Sequence, residues 1–429
     1  MKTNLNIISD PELAALMKER DLGMQRVHIT TELRKKQLQA KTVDEYFNIP
    51  IPPIYSLNRD GKPVGREMHK MIDIFIDQYC RGYNMNHEGR IVCQYGNLGS
   101  VVGSTLYRGE RRDYGLECTS LLGRNCRSRA KKSTKDAFLD FVIAQMRIYL
   151  FHGFLTHFRE YREFPFATPL PHIIAQHYGI PTQFLDLTDD IKVALFFACC
   201  KYDNSTHGYL PISEHDLSDF GEYAVLYCGV DDFEDTNMIG YQPFTRCFKQ
   251  RGYFIDTARE SFCWDFSLER HAGFTKKLFH RTPQLCQQIY DEFDGGKTLF
   301  PKDTLFACDS EIDQISNTNS FPVEVFETIV DCAEAYLRGY PNFDPRNGLT
   351  TRDWLYKELV VSGRIVLIDK YIVNGIKDVV EQYNSRWDAA QYQKEHDIIA
   401  WGRESITLPN GDFMWSLPFN NNGIFTGKN

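Results

Sequence analysis

What the chain lacks narrows its function first. No stretch approaches the roughly twenty uninterrupted apolar residues that a membrane helix needs, and the opening MKTNLNIISDPE has no apolar core of the signal-peptide kind. No membrane is expected among its partners, and a cytoplasmic location follows as the expectation. Twelve cysteines are present, yet they are scattered and no C-x-x-C occurs. The adjacent pair Cys199-Cys200 ends an apolar run, where packing is the ordinary role. Reduced, mostly buried thiols are expected, with neither disulfides nor a metal site. Glycine-rich phosphate loops of the G-x-G-x-x-G and P-loop kinds are missing, which argues against a Rossmann dehydrogenase or an ordinary ATPase. A net charge of -8 gives no global drive toward nucleic acid or anionic lipid, so any contact with a polyanion is local.

What is present suffices for real cores: 42% apolar and 14% aromatic residues in 429 positions, enough for two or three domains. The pattern reads as α+β in three regions. Residues 1–90 are helical: Asp10 and Pro11 start a helix carrying Leu13, Leu16 and Met17, and a second segment spans Thr31 to Lys41. The Pro- and Gly-rich stretch Asn48 to Gly65 suits a connecting arm, and the spacing of Met68, Met71, Ile72, Phe75, Ile76 and Tyr79 predicts a helix over Glu67 to Arg81. Residues 91–308 mix short runs of both periods, such as the strand YAVLYCGV from Tyr223 and a helix from Ile191 to Cys200. Residues 309–429 form an α/β extension or lobe. There Val325, Phe326, Ile329, Val330 and Ala333 mark a helix, RIVLIDKYIV from Arg364 a buried strand, and Val379, Val380, Tyr383 and Trp387 another helix. No internal repeat or low-complexity segment is visible.

Three strings in the middle region could carry chemistry. In LYRGE, Leu106 to Glu110, an arginine meets a glycine at a strand end; its planar fork of donors suits a phosphate or carboxylate, or equally a structural carboxylate partner. In QHYGIPTQFLDLTDDIKVALFFA, Gln176 to Ala198, Gly179, Pro181 and Thr182 turn the chain into a strand, and Thr188 is placed to cap a helix starting near Asp189. Asp189 and Asp190 then lie in the first turn, favoured by the helix dipole. Histidine's unperturbed pKa of about 6.5 suits His177 to a general base, with a buried structural histidine as the equal alternative. In FKQRGYFI, Phe248 to Ile255, Gly252 opens a strand and leaves Gln250 at its mouth, able to orient a ligand through its amide but not to serve as acid or base. Phe300-Pro301 closes the region, with Lys302 and Asp303 as surface charges.

Together with Leu299 to Pro301, these strings resemble the FRG domain, a bacterial module named for its aromatic-Arg-Gly tripeptide, here Tyr107-Arg108-Gly109. The order of parts is also similar, more distantly, to mono-ADP-ribosyltransferases: an Arg-Gly on a first strand, a hydroxyl-bearing string running into a helix that reads VALFFA, and a third motif where Gln250 stands. The departures are an Asp-Leu-Thr at 186–188 in place of the hydroxyl string and a Gln in place of the catalytic carboxylate. That resemblance implies a split β-sheet gripping NAD. Arg108, with Tyr107 and Gly109, would hold the pyrophosphate or a ribose edge, and Tyr178 would stack on nicotinamide. Thr188 would steady the ribose, Asp186 ahead of Glu110 would face the ribosyl cation, and His177 would activate an acceptor.

The leading expectation is an FRG-domain effector of a bacterial defence or toxin-like system, with an ADP-ribosyltransferase-like activity on a protein or nucleic acid and a regulatory partner on the flanking regions. Two other classes stay open. A non-enzymatic module would sense a nucleotide in the same cleft, and the basic clusters Arg34-Lys35-Lys36 and Arg124, Arg127, Arg129, Lys131, Lys132 would serve a nucleic-acid-binding protein.

Overall fold

The computed structural model describes residues 7–38, 80–85, 91–95 and 105–395, less 115–117, 166–168, 204, 231–235, 260–261, 271–272, 341 and 374, together with two-residue strand segments between 399 and 425. The connecting arm at 48–65 lies outside the described residues, as does most of the helix expected over 67–81, whose last two positions begin a strand, Cys80–Met85.

Alternating apolar residues build a seven-stranded mixed sheet from β1 (Ile7–Ile8), β2 (Thr105–Glu110), β3 (Phe184–Thr188), β4 (Tyr223–Val230), β5 (Thr236–Met238), β6 (Gly252–Asp256) and β7 (Phe274–His280). The spatial order is β1-β7-β4-β2-β3-β6-β5. Only β1 with β7 is parallel. β2 pairs with β4 over six residues, and β3 with β6 over five. Between β2 and β3 the sheet is nearly severed: among the described residues, Tyr107 opposite Thr188 is the one ladder pair between them. The sheet therefore forks beside Arg108, and the two halves diverge around a gap.

Helices flank both halves. Among them, α1 (Asp10–Leu38) is continuous, so the two expected N-terminal segments merge into one. It is followed by α2 (Leu121–Ala130), α3 (Thr134–Leu155), α4 (Pro171–His177) and α5 (Ile191–Cys199). Ser120 and Ser133 cap α2 and α3 by accepting from the Gly123 and Asp136 amides. α3 is long and apolar enough to cross a membrane by length and composition alone, but most of it is buried inside the fold. The helix after β3 is capped by Asp190, which accepts from the Lys192 amide. Thr188, expected as the cap, is the last residue of β3; its hydroxyl accepts from the Asp190 amide and donates to the Gln250 carbonyl.

Beyond α6 (Arg246–Lys249) and α7 (Pro283–Glu292), the chain continues through α8 (Asp309–Asn317), β8 (Ser320–Pro322), α9 (Val323–Gly339), α10 (Thr351–Leu355) and β9 (Val366–Ile368). The periodic positions of α9 turn inward as expected. One apolar core then unites α3 with Phe321, Phe326, Ile329, Trp354 and Leu359. The run from Arg364 is no long buried strand: three residues pair with β8, while Val366 and Ile372 stand exposed. Among the described residues a single short strand pairs there, so the remaining apolar residues find no ladder partner.

Candidate functional site

A cleft of about 440 Å3 opens at the fork of the sheet, within the size range of small-molecule sites. Its floor depends on close approach. Gly109 on β2 faces α5, where a Cβ would overlap the Ala194 carbonyl oxygen. Alternation along β2 therefore places Tyr107 and Gly109 toward α5 and turns Arg108 the other way, into the fork. Arg108, Glu110, His177, Asp186, Thr188 and Gln250 line one cleft, with Tyr107, Gly109 and Gly252.

Arg108 is fixed on two sides. Its Nη1 donates to the Asp186 backbone carbonyl at 2.8 Å and its Nε to Glu110 Oε1 at 3.3 Å. Burial opposes the guanidinium charge, but Cys118, Glu110 and Asp186 outweigh it and hold Arg108 above its usual value. Glu110 is buried and also accepts from the Cys118 thiol, so it orients Arg108 instead of facing the cleft as a free anion. Arg124 on α2 lines the same space and is pushed below its usual value by burial and by the charge of Arg108. Two cations thus repel one another across the cleft, a field that an anionic ligand relieves.

Opposite them stands an unusual pair. Gln250 Nε2 donates to the Leu299 carbonyl at 3.1 Å, which turns its Oε1 toward His177 Nδ1 at 3.0 Å. The His177 proton therefore sits on Nδ1. Burial, with Arg246 acting the same way, outweighs Asp186 and Gln250 and keeps the His177 pKa below its ordinary value, so the ring is neutral and Nε2 is an acceptor. Nε2 lies 3.6 Å from Asp186 Oδ1, and both are buried polar atoms with no hydrogen-bond partner. Two acceptors side by side with no donor between them are a costly arrangement in a folded interior unless a ligand supplies the donor.

Sequence reasoning gathered Arg108, His177, Asp186, Thr188 and Gln250, and the fold brings all five together. It gave Gln250 a ligand, however, and both ends of that amide are engaged by protein. Tyr178, expected to stack on a ring, lies outside the cleft: it is buried, its hydroxyl bonds Asp303, and its ring lies under Arg246 at 4.1 Å. Asp303, expected as a surface charge, is half-buried and accepts from the Thr245 and Phe306 amides as well. The cause is the same for both, since one buried polar cluster behind the cleft consumes them. Asp189 accepts two hydrogen bonds from Arg251 and Asp190 three from Arg20, and the latter staple α1 to the turn after β3.

The basic cluster after the motif also disperses. Arg124 faces the cleft, whereas Arg127 is buried and donates to the Trp264 and Phe266 carbonyls. The other N-terminal cluster falls near the end of α1, with Lys36 exposed and the Arg34 and Lys35 side chains outside the described residues. Missed by sequence were the walls: Tyr114, Tyr202 and Tyr209, of which Tyr209 stacks on Phe300 with ring centroids 4.6 Å apart. The LFP string supplies that stacking ring and was the one available hint.

No curated protein and no solved structure matches the chain. The mono-ADP-ribosyltransferase resemblance gains no support from these comparisons. The match that exists covers β2, β3 and α5 and ends before β6 and the Phe300 wall: residues 103–207 match the family model of the FRG domain.

Proposed function

We propose that the cleft binds an anionic nucleotide, NAD in the first instance, and transfers its ADP-ribosyl group to an acceptor. The observation that carries this reading is the orphaned pair of acceptors, His177 Nε2 and Asp186 Oδ1, facing the same space as the mutually repelling Arg108 and Arg124. The arginines suit a pyrophosphate. The tyrosine wall suits a base, and a ribose hydroxyl supplies the donor that the acceptor pair lacks. The fork between β2 and β3 agrees with a split sheet.

In this reading the bond from the ribose carbon to nicotinamide breaks with its electrons leaving on the ring, and Asp186 stabilises the resulting cation. An acceptor oxygen or nitrogen then attacks, and its proton passes to His177 Nε2. Arg108 holds the phosphates, Thr188 ties the end of β3 to Gln250, and Gln250 fixes the tautomer of His177. The acceptor is a protein or nucleic acid, and a bacterial defence or toxin-like effector is the setting that suits such an activity.

Incubation with labelled NAD and bacterial lysate tests it. Wild type should release nicotinamide or transfer label; Asp186→Asn should lose turnover by 100-fold or more while retaining NAD binding, and Arg108→Gln should lose binding. Failure of the folded wild-type protein to bind NAD would reject the reading. A second reading is favoured by the engaged amide of Gln250, which leaves no free carboxylate at that position of the site: a nucleotide sensor, which binds NAD saturably with no nicotinamide released under any lysate condition.

A further inference from the structure

On the other side of α2 from the cleft lies a second cavity, of about 580 Å3. Three separate parts of the chain bring an arginine to it: Arg129 from α2, Arg147 from α3 and Arg364 from the segment before β9. On α3, Asp140, Ile143, Ala144 and Arg147 are spaced by three, four and seven, so a single helix face builds one wall. Ile180 and Pro181 continue its apolar side. We infer that this cavity is a second ligand site, for a small organic phosphate, independent of the nucleotide cleft.

The argument begins with unequal charge. Asp140 takes Arg129 Nε at 2.8 Å and lies 3.8 Å from Arg364 Nη1, while Arg364 Nη2 reaches Asp136. Two carboxylates therefore orient two guanidinium groups and neutralise about two charges. Among the described residues Arg147 has no such partner within bonding distance: its Nε donates to the Thr318 carbonyl at 3.0 Å and its Nη2 to Asn319 Oδ1 at 2.9 Å, both neutral oxygens. Burial pushes its pKa down, against the weaker pull of Asp140. A partly buried cation held by neutral acceptors is costly, and a bound anion repairs the deficit.

Phosphate fits better than a lone carboxylate. Three guanidinium groups converge from different elements, and the several oxygens of a phosphate can accept from three forks at once. The cavity is far larger than an ion, and Ile143, Ile180 and Pro181 give part of it an apolar lining, which suits an organic body on the phosphate. This cluster also gives Arg129 a role that a solvated basic face does not, with no long stripe of charge of the kind that tracks a nucleic-acid backbone.

Pyrophosphate is the probe, titrated calorimetrically into the full chain. Saturable binding is expected that weakens tenfold or more in Arg147→Gln and in Arg129→Gln, and that persists in Arg108→Gln, where only the cleft is damaged. Arg129 is half exposed, so its substitution leaves the fold intact even if Arg147→Gln lowers the melting temperature. Absence of saturable binding at millimolar pyrophosphate, or binding indifferent to Arg129→Gln and lost in Arg108→Gln, would overturn the inference. Neither result bears on whether NAD is turned over in the cleft.

Discussion

Gln250 holds His177 with one end of its amide and the Leu299 carbonyl with the other, so a glutamine fits this position for a physical reason. A carboxylate there would set an oxygen against a carbonyl oxygen. Nothing in FKQRGYFI discloses this, because Leu299 lies 49 positions away. Glu160 is illegible in the same way. It sits in FREYREF like a surface charge, yet it lies beside Asp303 and Thr304; burial first, and then the charge of Asp303, push its carboxyl up to about 8 against the bond from Thr304. Between an ordinary value of about 4.5 and about 8, the folded protein keeps a proton that the unfolded chain releases. Rising pH through that window therefore destabilises the native state. Glu160→Gln should gain stability relative to wild type progressively from pH 5 to 8.5 and then level off, read as urea midpoints. A difference that is flat with pH would show that Glu160 ionises normally in the fold.

At the level of elements, β3, β4, β6, α5 and α9 were legible because each carries a run long enough for its period to show. The buried polar residue at the end of β3 was not, since both Thr188 and Asp190 are good caps and only the register of β3 against β6 decides between them. The run from Arg364 misled because apolar composition does not supply a pairing partner. The contact of β2 with α5 depends most on a single residue. Gly109 lets the Ala194 carbonyl lie against the strand, and that approach sets Arg108 in the fork. Gly109→Ala should cost about 1–3 kcal/mol or more, as overpacking does, and should weaken ligand binding along with stability. Gly339→Ala, at the end of α9 with open space around it, should stay within about 0.5 kcal/mol of wild type. Equal denaturation midpoints for the two variants would mean that the helix can move off the strand at little expense.

At the scale of the molecule, the segment that matches the family model is smaller than the unit that folds. Residues 103–207 contain β2 and β3, which share one ladder pair and the Arg108 bond to the Asp186 carbonyl, whereas their long pairings are with β4 and β6 beyond the matched segment. Gln250, Arg246 and Leu299, which hold His177 and its loop, also lie outside it. The core around α3 extends further still, because Phe138 packs on Trp354, with ring centroids 6.1 Å apart, and Phe141 on Tyr336 at 4.9 Å. A chain ending at 308 would expose that face of α3. Two fragments separate these dependencies. Residues 103–207 alone should give the narrow amide dispersion of an unfolded chain, because neither strand keeps its ladder partner. A chain ending at 308 retains every strand of the large sheet, but it should melt without a cooperative transition and bind a dye for exposed apolar surface. A cooperative melt from the longer fragment would mean that the sheet and its cleft form a unit stable without the α9 layer, and cooperative folding of 103–207 would mean that β2 and β3 pair more extensively than the single ladder pair of Tyr107 and Thr188.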